Sequence, residues 1–278
     1  MEMSIIIPVS QDFRLLNCLK SIDIDSEIVV IFNNNPSKEL IEISREDKRV
    51  NPIVINDIGC NLARIFNIGI QASAHEYILL ANSDCIFLPG RLNSYFDELM
   101  IYPVVKGHIQ FESNSFETRL VAELRFLFHE SFSPRKSLFG PGLAFHRSIC
   151  NRIGGYYFDE EVGWGEDGEL SERIYSSGLE VQHLSQHVML HPPESICHDL
   201  HIAYKIGYGE WIQDARVGTN LLKAIFTDIA NLLCDKGKRI RVSFLYGGTL
   251  LAVYLLTWKI VAHIGYYKRA LQRRRITK

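Results

Sequence analysis

The sequence predicts an α/β fold: a Rossmann-like, mostly parallel sheet with flanking helices, followed by a C-terminal helical tail. Three observations carry this expectation. Short apolar runs alternate with helical patterns through residues 4–99, turn residues close most of the runs, and the charge balance changes abruptly near residue 236. The composition is that of an ordinary globular protein, 47% hydrophobic and 22% charged over 278 residues, which allows one large domain with an appendage and excludes a disordered chain.

Taken in order, Ser4–Ile7 reads as a buried strand closed by Pro8, and Asp12–Ile22 as a helix with Leu15, Leu19 and Ile22 on one face. Glu27–Phe32 is a second strand, ended by the turn signal Asn33-Asn34-Asn35-Pro36. Pro52–Ile55 is a third strand. Asn61–Ala72 is a helix whose inner face carries Leu62, Ile65, Phe66, Gly69 and Ile70, and Glu76–Ala81 is a fourth strand. This alternation implies parallel strands joined by crossover helices. Ligands of such sheets bind at the C-terminal strand ends, which gathers Pro8–Ser10, Asn33, Asp57 and Asn82–Cys85 around one crevice. After Pro89-Gly90 a helix carries Leu92, Phe96 and Leu99 in register. Residues 103–145 read as short strands and loops, with a strand at Gly140–Phe145. Glu166–Ser177 is a helix stopped by Gly178, and residues 199–235 read as helical.

Three features carry chemistry. Asn82-Ser83-Asp84 directly follows the fourth strand, where a carboxylate can hold a divalent cation that bridges a diphosphate; an Asp there also serves as a solvated turn residue. In Gly163-Trp164-Gly165-Glu166-Asp167 two carboxylates sit where a helix begins. The helix N-terminus favours their ionised forms by ~0.3–1 kcal/mol, which suits a general base, and Trp164 could stack on a sugar face. The competing reading is a helix cap with acidic first-turn residues and a core Trp164. His191 ends the apolar run Val188–Leu190, and a neutral imidazole at a strand end can bind Mn²⁺ or be a half-exposed structural group. His183 and His187 have i,i+4 spacing but lack the Glu of a zinc-protease helix.

Over residues 3–195 these blocks resemble the family-two, A-fold glycosyltransferases, in particular the β-galactosyltransferases and the bacterial chondroitin-polymerase type. Asn61-Leu62-Ala63-Arg64-Ile65-Phe66-Asn67-Ile68-Gly69 resembles the family's N-x-A-x-x-x-N-x-G helix beside the donor. Asn82-Ser83-Asp84, followed by Pro89, resembles its D-x-D block. Gly140–Phe145, Gly154–Glu160 and Gly163–Leu170 resemble its acceptor-side block, which usually reads G-G-x-x-A-F, G-x-F-D-E and W-G-x-E-D.

The resemblance implies an inverting transferase that moves a hexosyl or N-acetylhexosaminyl group from a nucleoside-diphosphate sugar, taken as a UDP-sugar, to a hydroxyl of a glycan or lipid-linked glycan. Asp84 and His191 would ligate a divalent cation, Mn²⁺ or Mg²⁺. Asp167 would be the base and Glu166 would help hold the acceptor. Pro8, Ser10, Asn33, Asp57, Arg64, Asn67, Asn82, Ser83 and Trp164 would line the donor. Two positions depart from the pattern. Asn82 replaces the first acid of D-x-D and carries no charge, so cation affinity is expected to be weaker. Asn33 stands where the family usually has an Asp that reads the base or ribose.

The tail is distinct. Residues 236–278 hold eleven Lys or Arg and no acid, whereas residues 1–235 hold 19 basic and 32 acidic residues. Val242–Trp258 is a 17-residue stretch without charge, flanked by Lys236, Lys238, Arg239 and Arg241 on one side and Lys268, Arg269 and Arg273–Arg275 on the other. Basic flanks at both ends argue against a simple crossing and for a helix lying on an anionic membrane, or for a re-entrant hairpin kinked at Gly247-Gly248. Packing on the catalytic domain is the alternative. Residues 1–215 are thus expected to form the catalytic domain and 216–278 a helical membrane-associated segment, so that truncation after Lys236 should leave a soluble folded domain. Nucleic acid is not expected as a partner, because the basic tail has a long apolar centre. The N-terminus lacks a basic region and a long apolar run, and the six cysteines form no C-x-x-C pair. Both features suggest a cytoplasmic protein at the inner face of a membrane, with free, mostly buried thiols. A non-catalytic A-fold protein that binds a nucleotide-sugar or scaffolds partners is the first rival. A sugar-phosphate nucleotidyltransferase is the second, disfavoured because Pro8–Asp12 contains no Gly.

Overall fold

The structure is a computed structural model that describes residues 2–57, 59–130, 138, 140–216, 218–219, 221, 223–226 and 236–276. The elements run β1 (Met3–Val9), α1 (Leu15–Ser21), β2 (Glu27–Phe32), α2 (Lys38–Ser44), β3 (Val50–Val54), α3 (Leu62–Ala72), β4 (Tyr77–Leu80), β5 (Ile86–Phe87), α4 (Asn93–Leu99), β6 (Val104–Phe111), α5 (Phe116–Glu130), β7 (Leu143–His146), α6 (Ile149–Arg152), α7 (Glu166–Ser176), β8 (Val181–His191), α8 (Ile196–Arg216) and α9 (Lys236–Ile276). They divide into two compact units. The first holds residues 1–110, 138–160 and 167–192, and the second holds 111–137, 161–166 and 193–278.

The sheet has eight strands in the order β3-β2-β1-β4-β7-β6-β8-β5. Its first half is parallel, as the strand–helix alternation predicts, and β4–β7, β7–β6 and β8–β5 are antiparallel. β1 continues past Pro8, where the sequence reading had closed it. β4 pairs with β1 only as far as Ile6↔Leu80, and Val9 offers its carbonyl to Asn33 on the β2 side. Pro8 therefore turns its missing N–H toward β4 just beyond the end of that ladder, where no bond is lost.

Helix α3 packs on the parallel half. Asn61 caps it by accepting from the Arg64 N–H, and Ala63, Ile65, Phe66, Gly69 and Ile70 are buried against Ile6, Val29 and Ile31. Leu170 and Ile174 of α7 and Phe158 join the same core, with Phe66 and Phe158 stacked at 5.1 Å. Each fully buried aliphatic side chain in it contributes roughly 1.5–3 kcal/mol. In α4 the register turns Tyr95 inward with Leu92 and Leu99, and Phe96 is only partly covered. Residues 103–145, expected to be short strands and loops, contain the eight-residue β6 and the fifteen-residue α5.

The second unit is helical. Leu120, Val121, Leu124 and Leu127 of α5, Ala203 of α8, and Leu251, Tyr254, Leu255, Trp258 and Ala262 of α9 form one apolar cluster. Helices α8 and α9 meet at glycines: a Cβ on Gly207 would collide with the Ala262 backbone, and one on Gly265 with that of Tyr204. Asp199 is fully buried there, paired with Arg125 and accepting a 2.5 Å hydrogen bond from the Tyr254 hydroxyl. Helix α9 bends at Gly248, whose backbone is left-handed (φ 75°), within the Gly247-Gly248 pair that the sequence marks. Helix α9 supplies half of this cluster, and truncation after Lys236 would remove that half. The part of the predicted 199–235 helix that lies in 217, 220, 222 and 227–235 falls outside the described residues.

Candidate active site

The four parallel strands end side by side, so the loops after β1, β2, β3 and β4 bring Ser10, Asn33, Asp57 and Asn82–Asp84 to one edge of the sheet. At the end of β4, a carboxylate oxygen of Asp84, the Cys85 sulfur and a ring nitrogen of His191 lie within 4.8 Å of one another. His191 sits at the end of β8, 7% exposed, with Nδ1 3.0 Å from the Pro192 carbonyl. A carbonyl can only accept, so Nδ1 is the donor of that bond, which in the neutral ring would leave Nε2 as the nitrogen a metal could take. Carboxylate and imidazole suit a divalent cation of the Mn²⁺ type, so this donor pair fits such an ion. Cys85 is buried and donates weakly to Asp84 Oδ1 at 3.8 Å. Burial, then the Asp84 charge, pushes its thiol well above the ordinary value, which keeps it a neutral neighbour.

Arg14 approaches Asp84 from the β1 loop, at 3.5 Å. Its guanidinium is held by Asp12, whose Oδ1 accepts from the Arg14 backbone N–H (3.0 Å) and from Nε (2.9 Å). Partial burial opposes ionisation of Asp12, but the hydrogen bonds and charge of Arg14 outweigh it and hold the carboxyl below its usual range. Arg14 therefore stands as a fixed cation beside Asp84. The sequence offers only an acid and a base two residues apart; nothing in it foretells that they reach Asp84.

Asp167 is tied to the same strand end through a short backbone segment. The Gly140 N–H donates to Asp167 Oδ2 at 2.9 Å, and two residues on the Gly142 N–H donates to Leu80 O at 2.7 Å. The Gly142 carbonyl accepts from the Gly107 N–H and the buried Tyr95 hydroxyl, and Lys106 Nζ donates to Pro141 O at 2.5 Å. Gly142 has φ 82°, a conformation that L side chains rarely adopt, so the G-x-G pattern here has a backbone reason. The second oxygen of Asp167 accepts the Gly168 N–H at 2.8 Å, so its carboxylate is fixed from both sides.

Other residues proposed from the sequence take different places. The Asn33 side chain is 5% exposed and turned inward, donating to Val9 O and accepting from Asn34. Asn67 accepts from the Phe158 N–H (3.0 Å) and donates to Phe158 O (2.8 Å) and Glu160 Oε1 (3.0 Å), while Asn61 donates to Glu160 O (2.6 Å). The two asparagines of the α3 motif thus clamp the Phe158–Glu160 segment. Arg64 and Asp57 form a half-exposed ion pair at 2.9 Å. Trp164 and Glu166 belong to the second unit, where Lys205 Nζ lies 4.2 Å from the Trp164 ring centre and Glu166 is buried. Of the described cysteines, Cys18 and Cys85 are buried, Cys60 and Cys150 half-buried and Cys197 exposed, so fewer are buried than expected; Cys234 lies outside the described residues.

Residues 128–199 match the family described as the N-terminal domain of galactosyltransferase. No curated protein matches the chain. Among solved structures, the mannosyltransferase PcManGT of Pyrobaculum calidifontis, in complex with GDP-Man and Mn²⁺, is 15% identical, with 97% of this chain and 86% of that chain covered at TM-score 0.61. Residues 1–349 of S. aureus TarS are 14% identical, with 99% and 92% covered at TM-score 0.53, and that fragment is also solved with UDP-GlcNAc. Against the longer TarS structure the chain spans only 39% of that chain, at TM-score 0.51. At such identities the likeness establishes the fold. The matched segment is similar to a galactosyltransferase domain, and the fold is one that solved glycosyltransferases share.

Proposed function

We propose that the protein transfers a sugar, with inversion, from a nucleoside-diphosphate sugar to a hydroxyl of a glycan or lipid-linked glycan, at the cytoplasmic face of a membrane. The observation that carries this reading is the Gly140–Gly142 bridge, which fixes the Asp167 carboxylate to the strand end that bears Asp84 and, beside it, His191. Asp84 and His191 would hold a divalent cation, Mn²⁺ or Mg²⁺, whose contribution when bound is to neutralise the leaving diphosphate. Asp167 takes the proton of the acceptor hydroxyl as its oxygen attacks the anomeric carbon, and the two backbone N–H groups on the carboxylate keep its direction fixed. Arg14 adds a positive charge where the diphosphate departs. Ser10, Asn82 and Ser83 line the donor side, and Asn67 acts one step removed by holding Phe158–Glu160. Glu166 would help hold the acceptor, and Trp164 would stack on a sugar face on the donor side.

UDP is the nucleotide we assign. The TarS fragment was solved with UDP and UDP-GlcNAc, and the resemblance to galactosyltransferases points the same way; the GDP-Man complex of PcManGT makes GDP-sugars the contrast to test. The test is thermal shift against a panel of nucleotide-sugars with and without Mn²⁺. A ligand at a hundred times its Kd stabilises by ~2.7 kcal/mol, a readily measured shift. A UDP-sugar should stabilise the wild type in a Mn²⁺-dependent manner and leave Asp84→Ala unaffected. A panel with no stabilising member, or a shift unchanged in Asp84→Ala, contradicts the assignment.

A further inference from the structure

Helix α9 has two apolar faces, and only one is used. Its inner face, with Leu251, Tyr254, Leu255, Trp258 and Ala262, is committed to α5 and α8. Its outer face carries Leu250, Val253, Leu256, Ile260, Ile264 and Leu271, each between 38% and 59% exposed. Their spacing of three, three, four, four and seven residues makes one continuous stripe along the helix. Just before the Gly248 bend, Phe244, Leu245 and Tyr246 extend the exposed apolar surface. A buried core helix would cover this stripe, and a solvated helix would fill it with polar residues.

The charges around the stripe identify what covers it. The helix contains no acidic residue anywhere. Lys238 and Arg241 are exposed before the stripe, and Lys268 is exposed within its last turns. An apolar stripe bordered by cations at both ends fits a surface that offers hydrocarbon beneath anionic headgroups. A transmembrane orientation would pull the inner face away from α5 and α8. That would take the Tyr254 hydroxyl from the buried Asp199 carboxylate and uncover the apolar residues of α5 and α8 that α9 packs on.

We infer that α9 lies in the plane of an anionic membrane, with the Leu250–Leu271 stripe sunk into the headgroup boundary and the opposite face remaining part of the protein core. This deepens the membrane placement in the proposed function and rests on that part of it alone. The helix anchors the enzyme without crossing the bilayer and holds the second unit at the lipid surface, where a lipid-linked acceptor would be presented.

The experiment is vesicle flotation of the full chain with neutral phosphatidylcholine vesicles and with vesicles containing phosphatidylglycerol, alongside Ile260→Asp/Ile264→Asp. Both side chains are more than half exposed, so the variant should keep the wild-type melting temperature. The wild type should float with anionic vesicles, and raised salt should weaken this without abolishing it. The variant should lose roughly a hundredfold in partition. Wild-type protein that does not float, equal flotation of the variant, or flotation abolished by salt alone would overturn the inference. So would a wild-type dimer that the double substitution dissociates in the absence of lipid, since a second copy would then be the occupant. Donor-induced thermal shift of the same two proteins separates the two proposals: intact shift without flotation overturns only the membrane inference, and flotation without any shift overturns only the donor reading.

Discussion

Asn67→Ala tests whether the α3 motif acts on the fold or on the donor directly. Its amide makes three hydrogen bonds to the Phe158–Glu160 segment, two of them to the main chain of Phe158, a residue buried to 2% exposure. The bond to the exposed Glu160 carboxylate contributes little. Each main-chain bond is worth about 0.5–1.5 kcal/mol net, and truncation leaves a covered N–H and C=O without partners, so the expected loss is about 2–3 kcal/mol. For a domain of this size that lowers the melting temperature by roughly 5–10 °C. Asn67→Asp sharpens the argument. An aspartate can still accept from the Phe158 N–H, but it sets a carboxylate against the Phe158 carbonyl and Glu160. That environment raises its folded-state pKa above the unfolded value of about 4. A raised pKa means stability that is intact below pH 4 and lost as pH rises through the folded value. At pH 7 the Asp variant should therefore be no more stable than the Ala variant, and it should recover toward acid while the Ala variant does not. Urea unfolding at pH 4 and pH 7 measures both. Wild-type stability in Asn67→Ala, combined with a weakened nucleotide-sugar affinity, would refute the clamp and return Asn67 to the donor site.

Three further predictions follow from burial. Burial, reinforced by the Asp84 charge, pushes the Cys18 thiol up to about 12. Its contribution to stability is therefore complete below the ordinary thiol value of about 8.5 and is lost as pH climbs toward 12, so urea midpoints should fall in alkali less steeply for Cys18→Ala than for wild type. A thiol reagent at pH 8 should modify exposed Cys197 and spare Cys18 and Cys85, and equal rates would contradict their burial. Removing residues 237–278 should leave the Leu120–Leu127 face of α5 and Ala203 of α8 uncovered, so the truncated protein should aggregate or bind a hydrophobic dye. A monodisperse, cooperatively melting fragment would show that α9 is dispensable to that core.

The parallel half of the sheet was legible because its signals are local. Uninterrupted aliphatic runs such as Glu27–Phe32, followed by Asn33-Asn34-Asn35-Pro36, announce a buried strand and its turn without reference to the rest of the chain. Asn61 capping α3 and Gly178 ending α7 were readable for the same reason. Elements set by distant partners were not. Helix α5 is stabilised chiefly by α8 and α9, which lie more than sixty residues away in sequence, and β6 has value as a strand only between β7 and β8. The tail's apolar excess and the bend at Gly247-Gly248 were legible, but the sequence does not separate its packed face from its open one. In the candidate site, Asp84, His191 and Asp167 stood out through strand ends and helix starts. Arg14, Cys85 and the Gly140 N–H reach those residues only through folding, as do the clamps made by Asn61 and Asn67; the pattern of residue types places Asn67 at the donor and does not show its hold on Phe158–Glu160.

The central claim is that Asp167 is the base of a glycosyl transfer. The most direct measurement compares nucleoside-diphosphate release by wild type and Asp167→Asn, with a stabilising nucleotide-sugar and a panel of glycan acceptors, while donor affinity is followed by calorimetry. The substitution keeps shape and position, and only proton abstraction is removed. A positioned base is worth ~10²–10⁴ in rate, so acceptor-dependent release should fall by at least a hundredfold while donor affinity stays unchanged. A variant that keeps more than roughly a tenth of the wild-type rate, or that loses donor binding along with turnover, would contradict the account.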